Sequence, residues 1–109
     1  MVWIVVYHPE AELEYHALPI ADRNAVDNAV RKLETYGPTL PYPHQSAVKN
    51  SESIRELRPR GGRSRVRPLY RRFTDTFVIG AVAPEAQVDP RRFDRAVRSA
   101  ANRFAEIEE

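Results

Sequence analysis

Apolar residues along this chain form short continuous runs and longer helical stripes. Residues 2–7 (VWIVVY) and 76–83 (TFVIGAVA) are apolar at odd and even positions alike, which is typical of strands buried on both faces. Residues 53–58 and 63–73 flank the turn sequence PRGG, and their composition predicts two more strands. The pattern therefore predicts about four strands.

Three helices are predicted between and after these strands. A short polar helix is expected over residues 9–17, and a second begins after Pro19 and ends at Gly37. The last opens with Asp89 as N-cap and Pro90 in its first turn. The apolar positions at helical spacing in the two longer helices are Val26, Ala29, Val30, Leu33, Tyr36, Phe93, Val97, Ala100, Phe104 and Ile107.

The segment between the second helix and the second strand has no periodicity. Residues 39–53 contain two prolines and several small polar residues, so we expect a long ordered loop or a partly mobile segment. The resulting order is β-α-α-β-β-β-α. It predicts an α+β fold of two layers, an antiparallel sheet with helices packed on one face.

Length and composition limit the function classes. The 109 residues (12.5 kDa) predict a single domain spanning residues 1–109. The chain has no cysteine, which excludes a disulfide framework, a thiolate zinc site and a cysteine nucleophile. No apolar run approaches the length of a membrane span or a signal peptide. We therefore expect a cytoplasmic protein with no membrane contact.

Positive charge is concentrated in the second half of the chain. The net charge is −3 up to residue 54 and +5 from residue 55 onwards. Residues 55–72 alone carry +7, and all of it is arginine, whose planar fork matches phosphate oxygens. The eight arginines are Arg55, Arg58, Arg60, Arg63, Arg65, Arg67, Arg71 and Arg72.

The arrangement of these arginines depends on Pro68, which cannot donate to a strand ladder and therefore predicts a sheet edge or a bulge. With a bulge, Arg63, Arg65 and Arg67 gather with Arg58 on one open face. Such an arginine-lined face suits a polyphosphate backbone better than one small anion. The alternative is a solvated edge strand that uses arginine to prevent aggregation.

Three sequence blocks resemble the RelE/ParE superfamily of toxins from toxin–antitoxin modules. They are GPTLPYPH (residues 37–44), SIRELR (53–58) and RPLYRR (67–72), and the similarity runs from about residue 18 to the last helix. The chain is most similar to the HigB-like, phage-Gp49-like branch. The resemblance implies a RelE-like fold and a ribonuclease that cleaves messenger RNA, usually on the ribosome. It also implies a cognate antitoxin, expected to be a helix-turn-helix DNA-binding protein.

The resemblance further implies a mechanism in which the 2′-hydroxyl of the substrate attacks the adjacent phosphate. Neither a metal nor another cofactor is required. By position, the family arginines fall on Arg58 and Arg67, which are expected to stabilise phosphate charge, with Arg65 as a third. His44 is the candidate acid or base, because histidine usually titrates near neutrality, or it merely caps its loop. The other RNA-binding residues expected are Lys49, Arg60, Arg63, Tyr70 and Arg71.

Tyr70 has a second interpretation as a core tyrosine. One segment also departs from the family: residues 83–90 (APEAQVDP) lack the lysines common before the last helix, and Glu85 would repel RNA if it points inward. Two alternatives to the nuclease therefore stay open. One is binding to the ribosome or to DNA gyrase, as in the ParE branch, and the other is action only through the antitoxin.

Overall fold

A computed structural model describes residues 2–108, which form one five-stranded sheet and three helices. The strands are β1 (Ile4–Tyr7), β2 (Gln45–Ala47), β3 (Arg55–Leu57), β4 (Val66–Phe73) and β5 (Thr76–Pro84), and the helices are α1 (Pro9–His16), α2 (Ile20–Tyr36) and α3 (Pro90–Glu108). The sheet order is β1-β5-β4-β3-β2. β1 and β5 are parallel, and every other neighbouring pair is antiparallel.

The α+β class is confirmed, with a different strand count and pairing. The segment over residues 39–53, predicted as a loop, contains β2. Its three residues are too few and too polar to show a period, and they become a strand by pairing with β3. The sheet is mixed, not purely antiparallel, because the chain leaves β1 through two helices and returns to its side only with β5.

The helices cover both faces of the sheet, whereas the sequence interpretation placed them on one. Leu69 of β4 packs with Phe104 of α3, and the next residue, Tyr70, packs on the opposite face with Leu33 of α2. We name these the α3 face and the α2 face. This also explains why β5 is apolar at odd and even positions alike: its side chains pack against helices on both faces of the sheet.

The irregularity predicted at Pro68 lies instead in the neighbouring strand. The register between β4 and β5 shifts between Leu69 and Tyr70, and Gly80 of β5 is the extra residue. A Cβ at Gly80 would lie 2.6 Å from the Phe104 ring, so glycine permits the close packing of α3. Pro68 ends the β3–β4 ladder, whose last pair involves Leu69.

The helix boundaries follow the predicted signals. Gly37 ends α2 with a positive φ of 56°. The Asp89 side chain accepts a hydrogen bond from the backbone N–H of Arg92 (3.1 Å) at the start of α3. Within residues 2–108, none of the helices combines the length and apolar character needed to cross a membrane.

Candidate functional site

Four arginines lie in the loop that joins β3 to β4, residues 58–65. This β3–β4 loop makes a 3₁₀ turn at Pro59–Gly62, with positive φ angles at Arg60 (58°), Gly61 (63°) and Gly62 (95°). The backbone N–H of Ser64 donates to the carbonyl of Pro59 (3.2 Å). The loop is therefore closed on itself, and the side chains of Arg60, Arg63 and Arg65 are exposed.

Arg67, the second residue of β4, holds this loop in place through hydrogen bonds from its buried side chain. Its side chain is only 2% exposed. Nη2 donates to the carbonyl of Gly62 (3.1 Å), and Nη1 donates to those of Val66 (3.1 Å) and Ser64. These bonds satisfy loop carbonyls that would otherwise be buried without partners. Arg67 is thus an internal clamp of the loop.

Two carboxylates compensate the buried charge of Arg67. Glu85, between β5 and α3, accepts from Nη2 at 2.8 Å. Glu56 of β3 lies 3.9 Å from Nε. Burial lowers the pKa of Arg67, and the two glutamates act in the opposite direction. Four of the five N–H groups of Arg67 are occupied by protein acceptors, so little of this guanidinium is left for a ligand.

Arg58 is fixed but remains accessible. Its side chain is 21% exposed; Nε donates to the carbonyl of Pro43 (3.0 Å) and Nη1 to Glu56 (3.2 Å). The guanidinium also lies over the ring of Tyr42, 5.3 Å from its centroid. Among residues 2–108, the Nη2 group of Arg58 has no hydrogen-bond partner, which leaves it available to an anion.

These residues form a cleft on the α3 face, between β3, β4 and the segment before α3. It has a volume of about 300 Å³. We name it the paired cleft, because its two arginines are matched by two glutamates. Its lining residues are Glu56, Arg58, Gly62, Arg67, Glu85, Ala86 and Gln87.

A second cleft lies on the other side of the β3–β4 loop, beside the first turn of α2. We name it the loop cleft; its volume is about 580 Å³. Its three arginines are exposed, and within residues 2–108 no carboxylate lies within 4.0 Å of their charged groups. The lining residues are Ala21, Asp22, Arg60, Arg63, Ser64 and Arg65, and the paired cleft shares none of them.

The predicted grouping of arginines on one face is therefore divided. Arg58 and Arg67 do lie together, as expected. Arg63 and Arg65 do not join them, because β4 begins only at Val66 and both arginines belong to the loop. Arg67 is buried under the loop, whereas the sequence interpretation placed it on an open surface.

His44 and Lys49 lie outside both clefts. The backbone carbonyl of His44 accepts from the N–H of Arg58 (2.9 Å), so the residue lies next to the paired cleft without lining it. Lys49 is exposed in the turn after β2. The roles predicted for both side chains stay predictions.

Tyr70 and Arg71 also lie outside the lining of the two clefts. Tyr70 is 3% exposed on the α2 face and packs edge-to-face on Phe77, with ring centroids 5.7 Å apart. Burial raises its pKa to about 12. This is the core tyrosine of the alternative interpretation. Arg71 forms an ion pair with Glu108 at the end of α3.

Sequence reasoning missed Glu56 and Tyr42, and it considered Glu85 only as a repulsive group. The strand period gives a signal for Glu56, which shares a face with Arg58 two residues later. No sequence signal shows that Tyr42 stacks against Arg58, because the contact joins two separate segments. Within residues 2–108, no three His, Asp or Glu side chains are placed to hold a metal ion.

Comparison with known proteins gives a family and a fold. The sequence pattern of the family described as phage-derived protein Gp49-like matches residues 14–82. A comparison with curated proteins finds no significant match. Among solved structures, a mutant of the E. coli toxin RelE in the free state is similar, with a TM-score of 0.63 and 15% identity. The match covers 90% of this chain and 97% of that one, and it shows a shared fold.

Proposed function

This chain belongs to the phage-derived Gp49-like family, a family of RelE- and HigB-like toxins, and from that membership we propose that it is a toxin that cleaves messenger RNA. The supporting observation is the position of Arg58. Its guanidinium is held by Pro43, Glu56 and Tyr42, its Nη2 group has no hydrogen-bond partner among residues 2–108, and the residue lines a cleft that also contains two carboxylates.

In the proposed reaction, the 2′-oxygen of a ribose attacks the neighbouring phosphorus. A new O–P bond forms, the bond from phosphorus to the 5′-oxygen breaks, and the products are a 2′,3′-cyclic phosphate and a 5′-hydroxyl. The 2′-hydroxyl gives its proton to a base, and the leaving 5′-oxygen receives one. Arg58 stabilises the charge on the phosphate oxygens in the transition state. The buried Arg67 contributes positive charge to the cleft without contacting the phosphate directly.

The proton acceptor is best assigned to a glutamate of the paired cleft. Glu56 and Glu85 line this cleft, whereas His44 does not. A carboxylate base loses activity only in the acid range, while a histidine base loses it just below neutral pH. The pH profile of cleavage therefore distinguishes the glutamates from His44, and Glu56→Gln and Glu85→Gln then distinguish the two carboxylates.

Tyr42 adds a binding surface for single-stranded RNA. It is 70% exposed, and Arg58 contacts its ring. Nucleobases stack on exposed aromatic rings in many proteins that bind single strands. We propose that a base next to the cleaved phosphate stacks on Tyr42.

The test is to incubate the purified protein with messenger RNA, free or bound to ribosomes, and to map the product ends. We expect cyclic phosphate ends, and we expect Arg58→Ala to lower the rate by about 10²- to 10³-fold. Arg72→Ala is the matched control, because Arg72 also lies over an aromatic ring, that of Trp3, but away from the cleft. Equal loss in both variants, or intact RNA with the wild type, would contradict the proposal.

A non-catalytic role is the second candidate. The charge balance of the paired cleft favours it, because Glu56 and Glu85 compete with a phosphate for the two arginines. The protein would then bind the ribosome or DNA gyrase, or act only through its partner. Growth arrest with intact transcripts would support this candidate. In either case we propose a cytoplasmic toxin silenced by a cognate antitoxin, a helix-turn-helix DNA-binding protein.

A further inference from the structure

Within residues 2–108, the arginines of the loop cleft have no carboxylate partner, although Nε of Arg63 donates to the carbonyl of Arg60 (3.2 Å), and the proposed cleavage reaction uses none of them. Arg60, Arg63 and Arg65 line it, and among residues 2–108 Asp22 is the one acidic residue of its lining. A phosphate held by Arg58 would lie in the paired cleft, and within the described residues the two clefts share no lining residue. The loop cleft is therefore available to a ligand contact of its own.

The chemistry of the lining favours a phosphate backbone. Three exposed guanidinium groups supply bidentate donors for phosphate oxygens. Proteins that bind single strands combine such charges with aromatic rings for stacking, but the loop cleft, within the described part of the chain, has no aromatic residue in its lining. Double-helical RNA, with its bases stacked inside, is recognised mainly through phosphates and 2′-hydroxyls.

The loop is also held in one conformation before any ligand binds. Arg67 donates to the carbonyls of Gly62 and Ser64, and the N–H of Glu85 donates to the carbonyl of Arg65 (2.8 Å). A rigid loop loses less conformational entropy on binding than a flexible one. The buried arginine of the paired cleft thus positions the exposed arginines of the loop cleft.

We infer that the loop cleft binds the sugar–phosphate backbone of double-helical RNA, at a site separate from the paired cleft. The inference rests on the proposed action on RNA. The loop cleft would be a second contact that holds a folded RNA, such as a helix next to a single-stranded substrate. The paired cleft would cleave the single-stranded part. The loop cleft would contribute affinity without sequence preference, since phosphate contacts carry no base information.

The test measures binding of a fluorescein-labelled RNA duplex of about 16 base pairs by anisotropy, from about 50 to about 200 mM salt. The variant is Arg60→Ala/Arg63→Ala/Arg65→Ala. Its matched control is Arg91→Ala/Arg95→Ala/Arg98→Ala, which removes the same charge from the exposed side of α3. Circular dichroism shows that both variants are folded.

We expect the loop variant to bind the duplex at least about tenfold more weakly, with the salt slope reduced by about three. The α3 control should keep most of the affinity. Cleavage of a short single-stranded RNA by the wild type is measured separately. Failure of the proposed function would show as no cleavage by the wild type, whereas failure of this inference would show in duplex binding.

Four results would overturn the inference. An equal loss in the α3 control would mean diffuse electrostatic attraction. Equal weakening for a single strand of the same sequence, or a DNA duplex bound as tightly as the RNA duplex, would remove the assignment to double-helical RNA. Unchanged RNA binding together with lost inhibition by an acidic antitoxin would assign the loop cleft to a protein partner.

Discussion

The paired cleft and the loop cleft take their arginines from one short stretch of sequence, yet they differ in charge balance. Among the described residues, the paired cleft has two arginines and two glutamates in its lining, and the loop cleft has three arginines and one aspartate. In the paired cleft, Arg67 is buried and meets Glu56 and Glu85. In the loop cleft, the arginines are exposed and have no ion pair within residues 2–108. A dense run of positive charge therefore contains residues that stabilise the fold and residues that are free to bind.

The difference has a physical cause. A buried guanidinium is tolerated only with partners, because desolvation of an unpaired charge costs several kcal/mol. An exposed one keeps its hydration and needs no partner. Burial of Arg67 thus requires the neighbouring glutamates, and these lower the net charge of the cleft in which catalysis is proposed.

The largest effect is expected from Arg67→Ala. This change leaves Glu85 and the backbone carbonyls of Gly62, Ser64 and Val66 without their donor, and we expect a loss of about 3–5 kcal/mol in the free energy of unfolding. Urea unfolding measures it. Arg65→Ala is the control and should stay within about 0.5 kcal/mol of the wild type. A stable Arg67→Ala protein that lacks only cleavage would show that Arg67 acts directly on the substrate.

Gly62→Ala should have the next largest effect, since Gly62 borders the paired cleft. Its φ is +95°, and a Cβ there would lie 2.6 Å from Nη2 of Arg58. We expect a loss of about 1–3 kcal/mol in unfolding free energy and much slower cleavage, because Arg58 must move.

Gly61→Ala separates the two causes in that experiment. Gly61 also has a positive φ (+63°), but its Cβ would meet only Pro43, at 3.7 Å. It should therefore lose stability through backbone strain and keep its cleavage rate. Similar cleavage rates in the two alanine variants would mean that the position of Arg58 does not control activity.

Glu85→Gln should have a moderate effect on RNA affinity. The glutamine keeps an acceptor for Arg67 and removes one negative charge from the paired cleft. We expect single-stranded RNA to bind about fivefold more tightly, which corresponds to about 1 kcal/mol. Glu108→Gln, which removes the partner of Arg71 at the end of α3, is the charge-matched control. If both changes tighten binding equally, the effect is one of net charge alone.

Tyr70→Phe should leave RNA binding unchanged, because Tyr70 is buried on the α2 face. It should alter stability at high pH. Burial raises the Tyr70 pKa to about 12, above the value near 10 of an unfolded chain. Between these values the folded state retains a proton that the unfolded state has released, so stability falls as pH rises.

Urea unfolding from about pH 9 to about pH 11 should therefore show a smaller fall for Tyr70→Phe than for the wild type. Some fall will remain, because burial also raises the pKa of Tyr7. Weaker RNA binding by Tyr70→Phe would instead support the RNA contact predicted from the sequence.

Local sequence signals predicted most of the elements. The apolar runs predicted β1 and β5, and proline, glycine and aspartate predicted where the helices begin or end. β2 was not predictable in this way, since three polar residues become a strand only beside β3. The apolar residues at odd and even positions of β5 already indicated that both faces of the sheet are covered. The predicted topology nevertheless placed the helices on one face.

The candidate site was predictable in part. The resemblance to the toxin superfamily selected Arg58 and Arg67, and the structure places them in one cleft. The acidic residues beside them come from β3 and from the segment before α3. These glutamates lie beside the arginines only because β3, β4 and β5 pair antiparallel. Local sequence patterns do not predict such contacts between separate segments.

By itself, the sequence determined the class of the fold, the family and the concentration of arginine between residues 55 and 72, because composition and local periodicity act over a few neighbouring residues. Only the tertiary structure decided which arginines are buried and paired and which are exposed. That choice depends on where β4 begins, and on the carboxylates that distant segments bring within reach of each guanidinium.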